Sequence, residues 1–227
     1  MRAKEFILED YADDFESAEE EKALALHDQW VETMEVLRRD CQPFLKSIDY
    51  DVGRYHLWRG DRTAFSNTVE PIVQMTTRMD RLPKDMPIQI HHLLDQYFLT
   101  KFGFKYRSQA TFATHDYTEA KDYGTPYLFF PIGQFDICYS PHISDLFKYL
   151  EDSSIFMDVG NLLNHDEDEA AYQELANDLN QFKYTTQASA TAAIDSRCEL
   201  MIKCKSFYLI NCDKFGVIPN DFDILNT

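Results

Sequence analysis

Three polar side chains stand at the ends of predicted strands: Arg59 in LWRG, Thr114 in ATFATHD and Glu199 in CELMI. Glu199 sits at the mouth of the apolar run ELMIKCKSFYLI, where a rigid strand could fix a catalytic carboxylate. A guanidinium offers a planar fork of donors, and a hydroxyl both donates and accepts. Each residue also has a plainer reading. Arg59 suits a surface ion pair, Thr114 a turn or helix N-cap, and Glu199 a solvated strand edge. Other chemistry is not spelled in the chain. His91 and His92 face two directions of a helix and make a poor metal pair. No H-E-x-x-H, G-x-S-x-G, Walker loop or G-x-G-x-x-G occurs. The five cysteines are odd in number and lack C-x-x-C, so they read as reduced thiols and not as a zinc site. HDEDE at 165–169 reads as a solvated charge run. No metal is expected.

The elements that must position these residues follow from periodicity and caps. Residues 1–48 read as an acidic helical region. Leu24, Leu26, Trp30, Met34 and Leu37 make a helical stripe, Ser17 and Glu20 offer a capping box, and Pro43 bends or ends the helix. RYHLWRG reads as a short strand from Arg54 to Gly60, and SNTVEPIVQMTTRMDRLPKD as a loop. Asp85 as cap, Pro87 in the first turn and Gly103 at the end bracket a helix that buries Ile90, Leu93, Leu94, Tyr97 and Phe98. Tyr106 to Thr114 reads as a strand. Asp116 or Thr118 caps a short helix ending at Gly124, and PYLFFPIGQFDICYS reads as a hairpin turning at Gly133. The acidic stretch at about 151–185 predicts an exposed helix beside a mobile loop. YTTQASATAAIDS carries no core signal, ELMIKCKSFYLINC is strand-like, and KFGVIPNDFDILNT adds an edge strand. Strands do not alternate with crossover helices, so an α+β fold with a mixed or antiparallel sheet core is expected. The expected division is a helical region at 1–48 and a main domain at 49–227.

Composition bounds the function. Apolar residues are 44% of the 227, enough for a core, and the 17 Phe and 13 Tyr favour one containing β-structure. The formal charge of −17 disfavours direct nucleic-acid binding and anionic membranes. It leaves room for a local basic pocket, because Arg54, Arg59, Arg62, Arg78 and Arg81 fall in one short segment. The start MRAKEFILEDYADD has no apolar h-region, so no secretory signal is expected, and no run approaches the ~20 apolar residues of a membrane helix.

In order and context, YHLWRG, ATFATHDYTEAKDYG and SRCELMIKCKSFYLI resemble the ADP-ribosyltransferase superfamily, in its branch with an Arg, Ser/Thr, Glu signature. The middle segment is similar to toxin-like and phage-encoded members. The resemblance spans about residues 54–212 and implies a mixed or antiparallel β-sandwich core behind the N-terminal helical region. It implies NAD as substrate, with Arg59 on the pyrophosphate and the backbone at Gly60 close to the nicotinamide amide. Glu199 would stabilise charge developing on the ribose, and Thr114 would hydrogen-bond and orient Glu199. Tyr123 would stack on nicotinamide or pack in the core, and Arg107 would add phosphate or structural contacts. The segment Tyr184 to Ser196 would face the acceptor. One position departs from the pattern. Arginine-modifying members carry a second Glu two residues before the catalytic one; here that residue is Arg197, with Asp195 two further back. Arginine is then the less favoured acceptor, and asparagine, a carboxylate, a thiol, a nucleic-acid group or water stay open.

The implied activity is mono-ADP-ribosyl transfer to a macromolecular target, a protein in the first instance. The cytosol is the expected place of action, a bacterial host's if the chain is phage-encoded. Two alternatives stand beside it: a non-enzymatic acidic protein that occludes a basic partner surface, and an NAD glycohydrolase on the same fold.

Overall fold

Seven strands of the described residues pair into two antiparallel sheets. One has the order β1-β4-β7-β2, from β1 (Trp58–Asp61), β2 (Ile72–Thr76), β4 (Thr125–Pro131) and β7 (Ser206–Ile210). The other has the order β3-β6-β5, from β3 (Thr111–Ala113), β5 (Asp136–Cys138) and β6 (Leu200–Lys203). This computed structural model describes residues 24–66, 68, 70–84, 86–165, 167–216 and 219. The α+β class and the antiparallel sheets agree with the expectation. The capping box at Ser17, the cap at Asp85 and most of the expected terminal edge strand lie outside the described residues. Among the described residues, no helix is long and apolar enough to cross a membrane.

Strand β6 shows how the layers form. Its side chains alternate in direction, as strand geometry requires. Leu200 and Ile202 enter one core with Leu128 and Phe129 of β4 and Leu209 of β7. Met201 enters a second core with Leu94 and Phe98. The second sheet is therefore buried on both faces. Helix α1 (residues 24–40) and helix α2 (Gln42–Ser47) feed the first core through Trp30, Met34, Leu37, Phe44 and Leu45; the chain bends at Cys41, and Pro43 sits in the first turn of α2. Helix α3 (Ile88–Phe102), ended by Gly103 at φ 71°, supports the second core with α7 (Ile155–Asn164) and α8 (Asp168–Gln181).

Several expected elements differ. β2 lies inside the segment read as a loop; it is an edge strand, only half buried, and its apolar run is short. Tyr106 to Thr114 begins as a helical turn, α4 (Tyr106–Gln109), before β3. β1 starts at Trp58, not at Arg54, and passes Gly60 by one residue. PYLFFPIGQFDICYS is not a hairpin, because β4 joins the first sheet and β5 the second. ELMIKCKSFYLINC likewise breaks at Cys204 and Lys205 into β6 and β7 of different sheets. In the acidic stretch, α7 and α8 pack on each other and on α3, burying Val159, Ala171, Leu175 and Leu179. The polar YTTQASATAAIDS holds α9 (Ala190–Asp195), which buries Ala190, Ala193 and Ile194. Three short helices complete the described chain: α5 (Tyr117–Tyr123), α6 (Leu146–Asp152) and α10 (Cys212–Phe215).

Candidate functional site

The two sheets meet at one backbone bridge. The Trp58 N–H donates to the Thr114 carbonyl at 2.7 Å, and the Thr114 N–H returns to the Trp58 carbonyl at 2.9 Å. A cleft of about 220 Å³ opens beside this bridge. Arg59, Gly60, Thr114, Tyr123 and Glu199 line it, and Arg107 reaches Glu199 from α4. Residues far apart in the chain are thus brought together by the sheet junction.

Glu199 directly precedes β6, and its N–H is held by the Ser144 carbonyl at 2.7 Å. Its carboxylate receives Nη1 of Arg107 on both oxygens, at 3.2 and 2.9 Å. The pair is largely dry, with side chains 10% and 19% exposed. Burial pushes the Glu199 carboxyl above its ordinary range, and Arg107 pulls it back. Arg107 is itself fixed. Its N–H donates to Asp95 Oδ1 at 3.0 Å, and its guanidinium lies 4.7 Å from the Phe112 ring centre. The orienting partner of Glu199 is therefore Arg107, not Thr114. The Thr114 hydroxyl instead donates to Glu119 Oε2 at 2.8 Å, because it stands at the entry to α5 and also accepts the Asp116 N–H at 3.1 Å.

Two further guanidiniums face the cleft without a carboxylate. Arg59 donates through Nη1 to the Phe112 carbonyl at 2.8 Å, while its Nε is buried and unpaired. Arg81, from the segment between β2 and α3, lies 4.0 Å from the Phe112 ring centre, and its Nη1 is buried and unpaired. Neither makes an ion pair among the described residues. Burial lowers the pKa of Arg59, and burial with the neighbouring charges of Arg107 and Arg59 pushes Arg81 down to about 10. Of the arginine-rich segment, Arg59 and Arg81 thus line the cleft and put positive charge on one of its walls, although Glu119, Asp145 and Glu199 line it as well.

The opposite wall is α5. Asp116 caps it, accepting the Thr118 and Glu119 N–H groups at 2.6 and 3.1 Å. The helix lies so close on β1 that a Cβ on Gly60 would collide with the Ala120 carbonyl oxygen. The missing side chain of Gly60 thus serves this packing; its open side is filled by protein and not by a ligand. Tyr123, 56% exposed, donates its hydroxyl to Asp145 Oδ2 at 2.8 Å. Its phenol is pushed up by burial and by Asp145. Asp145 also caps α6, accepting the Lys148 N–H at 3.1 Å. Sequence reasoning missed Arg81 as a site residue, along with Glu119 and Asp145. Arg81 had one signal, its place in the arginine-rich segment; nothing in the sequence singled out Glu119 or Asp145.

No protein-family model, curated protein or solved structure matches this chain.

Proposed function

We propose that the cleft takes NAD as substrate and that the protein is a mono-ADP-ribosyltransferase, passing ADP-ribose to a macromolecular target, a protein, with release of nicotinamide. The reading takes the paired antiparallel sheets as an ADP-ribosyltransferase-like sandwich. One observation carries it: Arg59 from the first sheet, half-buried and without a carboxylate partner among the described residues, and a fixed carboxylate, Glu199, beside the second share one cleft.

The residues fit the substrate by charge. Arg59 and Arg81, which line the cleft, supply the positive charge that faces the diphosphate. Glu199 stands beside the ribose, where positive charge develops as the bond to nicotinamide breaks. Arg107 keeps the carboxylate oriented and ionised. The exposed ring of Tyr123 is available to stack on nicotinamide, and its bond to Asp145 fixes that ring.

The test is nicotinamide release from NAD, wild type beside Glu199→Gln, with and without cell lysate. Release should fall roughly 10²–10³-fold in the variant, as expected for losing one charge-stabilising group. Labelled NAD separates the outcomes: label retained on a target means transfer, and free ADP-ribose means a glycohydrolase. No release by folded wild type in any condition would refute NAD chemistry and favour an acidic binding protein.

A further inference from the structure

Helix α4 is four residues long and carries Arg107 to Glu199. A single turn does not hold itself: its first N–H groups have no partner within the helix, and so short a helix is unstable alone. Lys105, at its N-cap, makes no side-chain capping bond. The acceptor comes instead from α3. Asp95 Oδ1 receives the Arg107 N–H at 3.0 Å and the Ser108 N–H at 3.2 Å. These belong to the second and third residues of α4, the positions that an N-cap side chain ordinarily serves. Asp95 is only 5% exposed, and an aspartate at that depth is rare unless it is engaged. Beside its other oxygen, Oδ2, stands His91 Nε2 at 3.8 Å, buried and without a hydrogen-bond partner. Burial pushes the His91 ring down, Asp95 works against it, and Arg107 and Arg81 add to it. The ring is therefore neutral at neutral pH and leaves the carboxylate to α4.

At the far end of Arg107 the anchoring is thin. Nη1 serves both Glu199 oxygens, while Nε is buried and unpaired. A guanidinium that grips a carboxylate through one nitrogen lacks the fixed geometry of two parallel bonds. Its direction is then set by the Phe112 ring, 4.7 Å away, and by where the Arg107 main chain starts. We infer that Asp95 is a positioning residue: by capping α4 from α3 it fixes the origin of Arg107, and through Arg107 it aims the Glu199 carboxylate into the cleft. Its bearing on the reaction rests on the NAD reading. Asp95 does not itself line the cleft. What acts is the acceptor at Oδ1 and not the charge. Packing is the competing explanation, since Tyr106, 2% exposed, sets its ring against Phe98, Phe102 and Phe104. If packing alone held α4, removing the Oδ1 acceptor would cost stability and leave Glu199 as it is.

The experiment follows the Glu199 carboxyl by NMR in the full chain, isotope-labelled at glutamate Cδ, with the resonance assigned by its loss in Glu199→Gln. Arg107→Met gives the displacement that follows from losing the guanidinium outright. Asp95→Ala should move the Glu199 midpoint to higher pH, in the same direction, because a misdirected Arg107 stabilises the ionised carboxylate less. Asp95→Asn should recover most of the wild-type midpoint. Its amide oxygen still accepts the two N–H groups, and its amide nitrogen faces the unpaired His91 Nε2. Asp95→Ser, whose hydroxyl falls one bond short of Oδ1, is read in place of Asp95→Ala if that variant does not fold. Arg81 and Asp145, which also bear on Glu199, are unchanged throughout. In nicotinamide release, kcat should fall about 100-fold in Asp95→Ala, as for a displaced catalytic group, with little change in the KM for NAD, and Asp95→Asn should restore it. A Glu199 midpoint that stays in place in Asp95→Ala, whatever the melting temperature does, overturns the inference. So does an Asp95→Asn midpoint displaced as far as that of Asp95→Ala, which would make the charge the agent. Absence of NAD cleavage by folded wild type overturns the NAD reading and leaves the titration as the test of Asp95.

Discussion

Replacing Arg107 by methionine removes the cation from a carboxylate that stays buried. Breaking one side of a buried ion pair costs about 3–5 kcal/mol. With Glu199 19% exposed, the lower end, about 3 kcal/mol, is the expected loss. At this chain size 1 kcal/mol moves the melting temperature by roughly 2–4 °C, so a fall of roughly 6–12 °C follows. The loss depends on pH with a definite sign. Burial already holds the folded-state pKa of Glu199 above the reference 4.5, and Arg107 is the main opposing influence. Without Arg107 the folded form keeps a proton that the unfolded chain releases near 4.5. A folded state that binds more protons loses stability as pH rises. The deficit of Arg107→Met is therefore smaller at about pH 5 than at about pH 8. Urea denaturation of wild type, Arg107→Met, Glu199→Gln and the double variant gives the coupling, expected at about 2 kcal/mol for contacting residues. Equal losses at both pH values, or a coupling below about 0.5 kcal/mol, would refute the reasoning. Arg107 would then act through its stacking on Phe112 alone.

Further outcomes follow from named contacts. Gly60→Ala should destabilise by about 1–3 kcal/mol, because its methyl meets backbone that cannot turn aside. Gly160→Ala, in α7 with open space around the position, should stabilise by about 0.5–1 kcal/mol in the same thermal melt. Asp116→Ala removes the cap of α5 and should cost about 1 kcal/mol, with faster amide exchange at Thr118 and Glu119. Nicotinamide release should decline on acidification with a midpoint above 4.5, since Glu199 must be ionised and its pKa is raised.

Local signals read well from the sequence where the physics is local. Asp116 and Gly124 bracket α5, and Gly103 ends α3, because caps are set by a few adjacent residues. Glu199 at a strand mouth was visible for the same reason. Long-range partition was not. Nothing in PYLFFPIGQFDICYS states that its two strands pair with β7 and β6 of separate sheets. Acidic residues in α8 hide a stripe at Ala171, Leu175 and Leu179 that is fully buried, since an amphipathic helix shows most of its charge on the other face. Thr114 was placed at the site, but its hydroxyl partner depends on the turn into α5. Arg81 carried only the signal of its arginine-rich segment, because its side chain enters the cleft from an irregular stretch between β2 and α3.

The bridge between Trp58 and Thr114 is made by main-chain groups alone. Arg59 follows one end of it, and Thr114 is the other. The spacing of the cleft walls at this junction is therefore written in main-chain N–H and carbonyl groups, which every amino-acid type except proline carries. Side chains around it can be exchanged while the frame that separates them persists. A library that randomises Arg81, Glu119 and Tyr123 would sample ligand chemistry on a constant scaffold, and variants could lose one substrate and acquire another without first losing the fold.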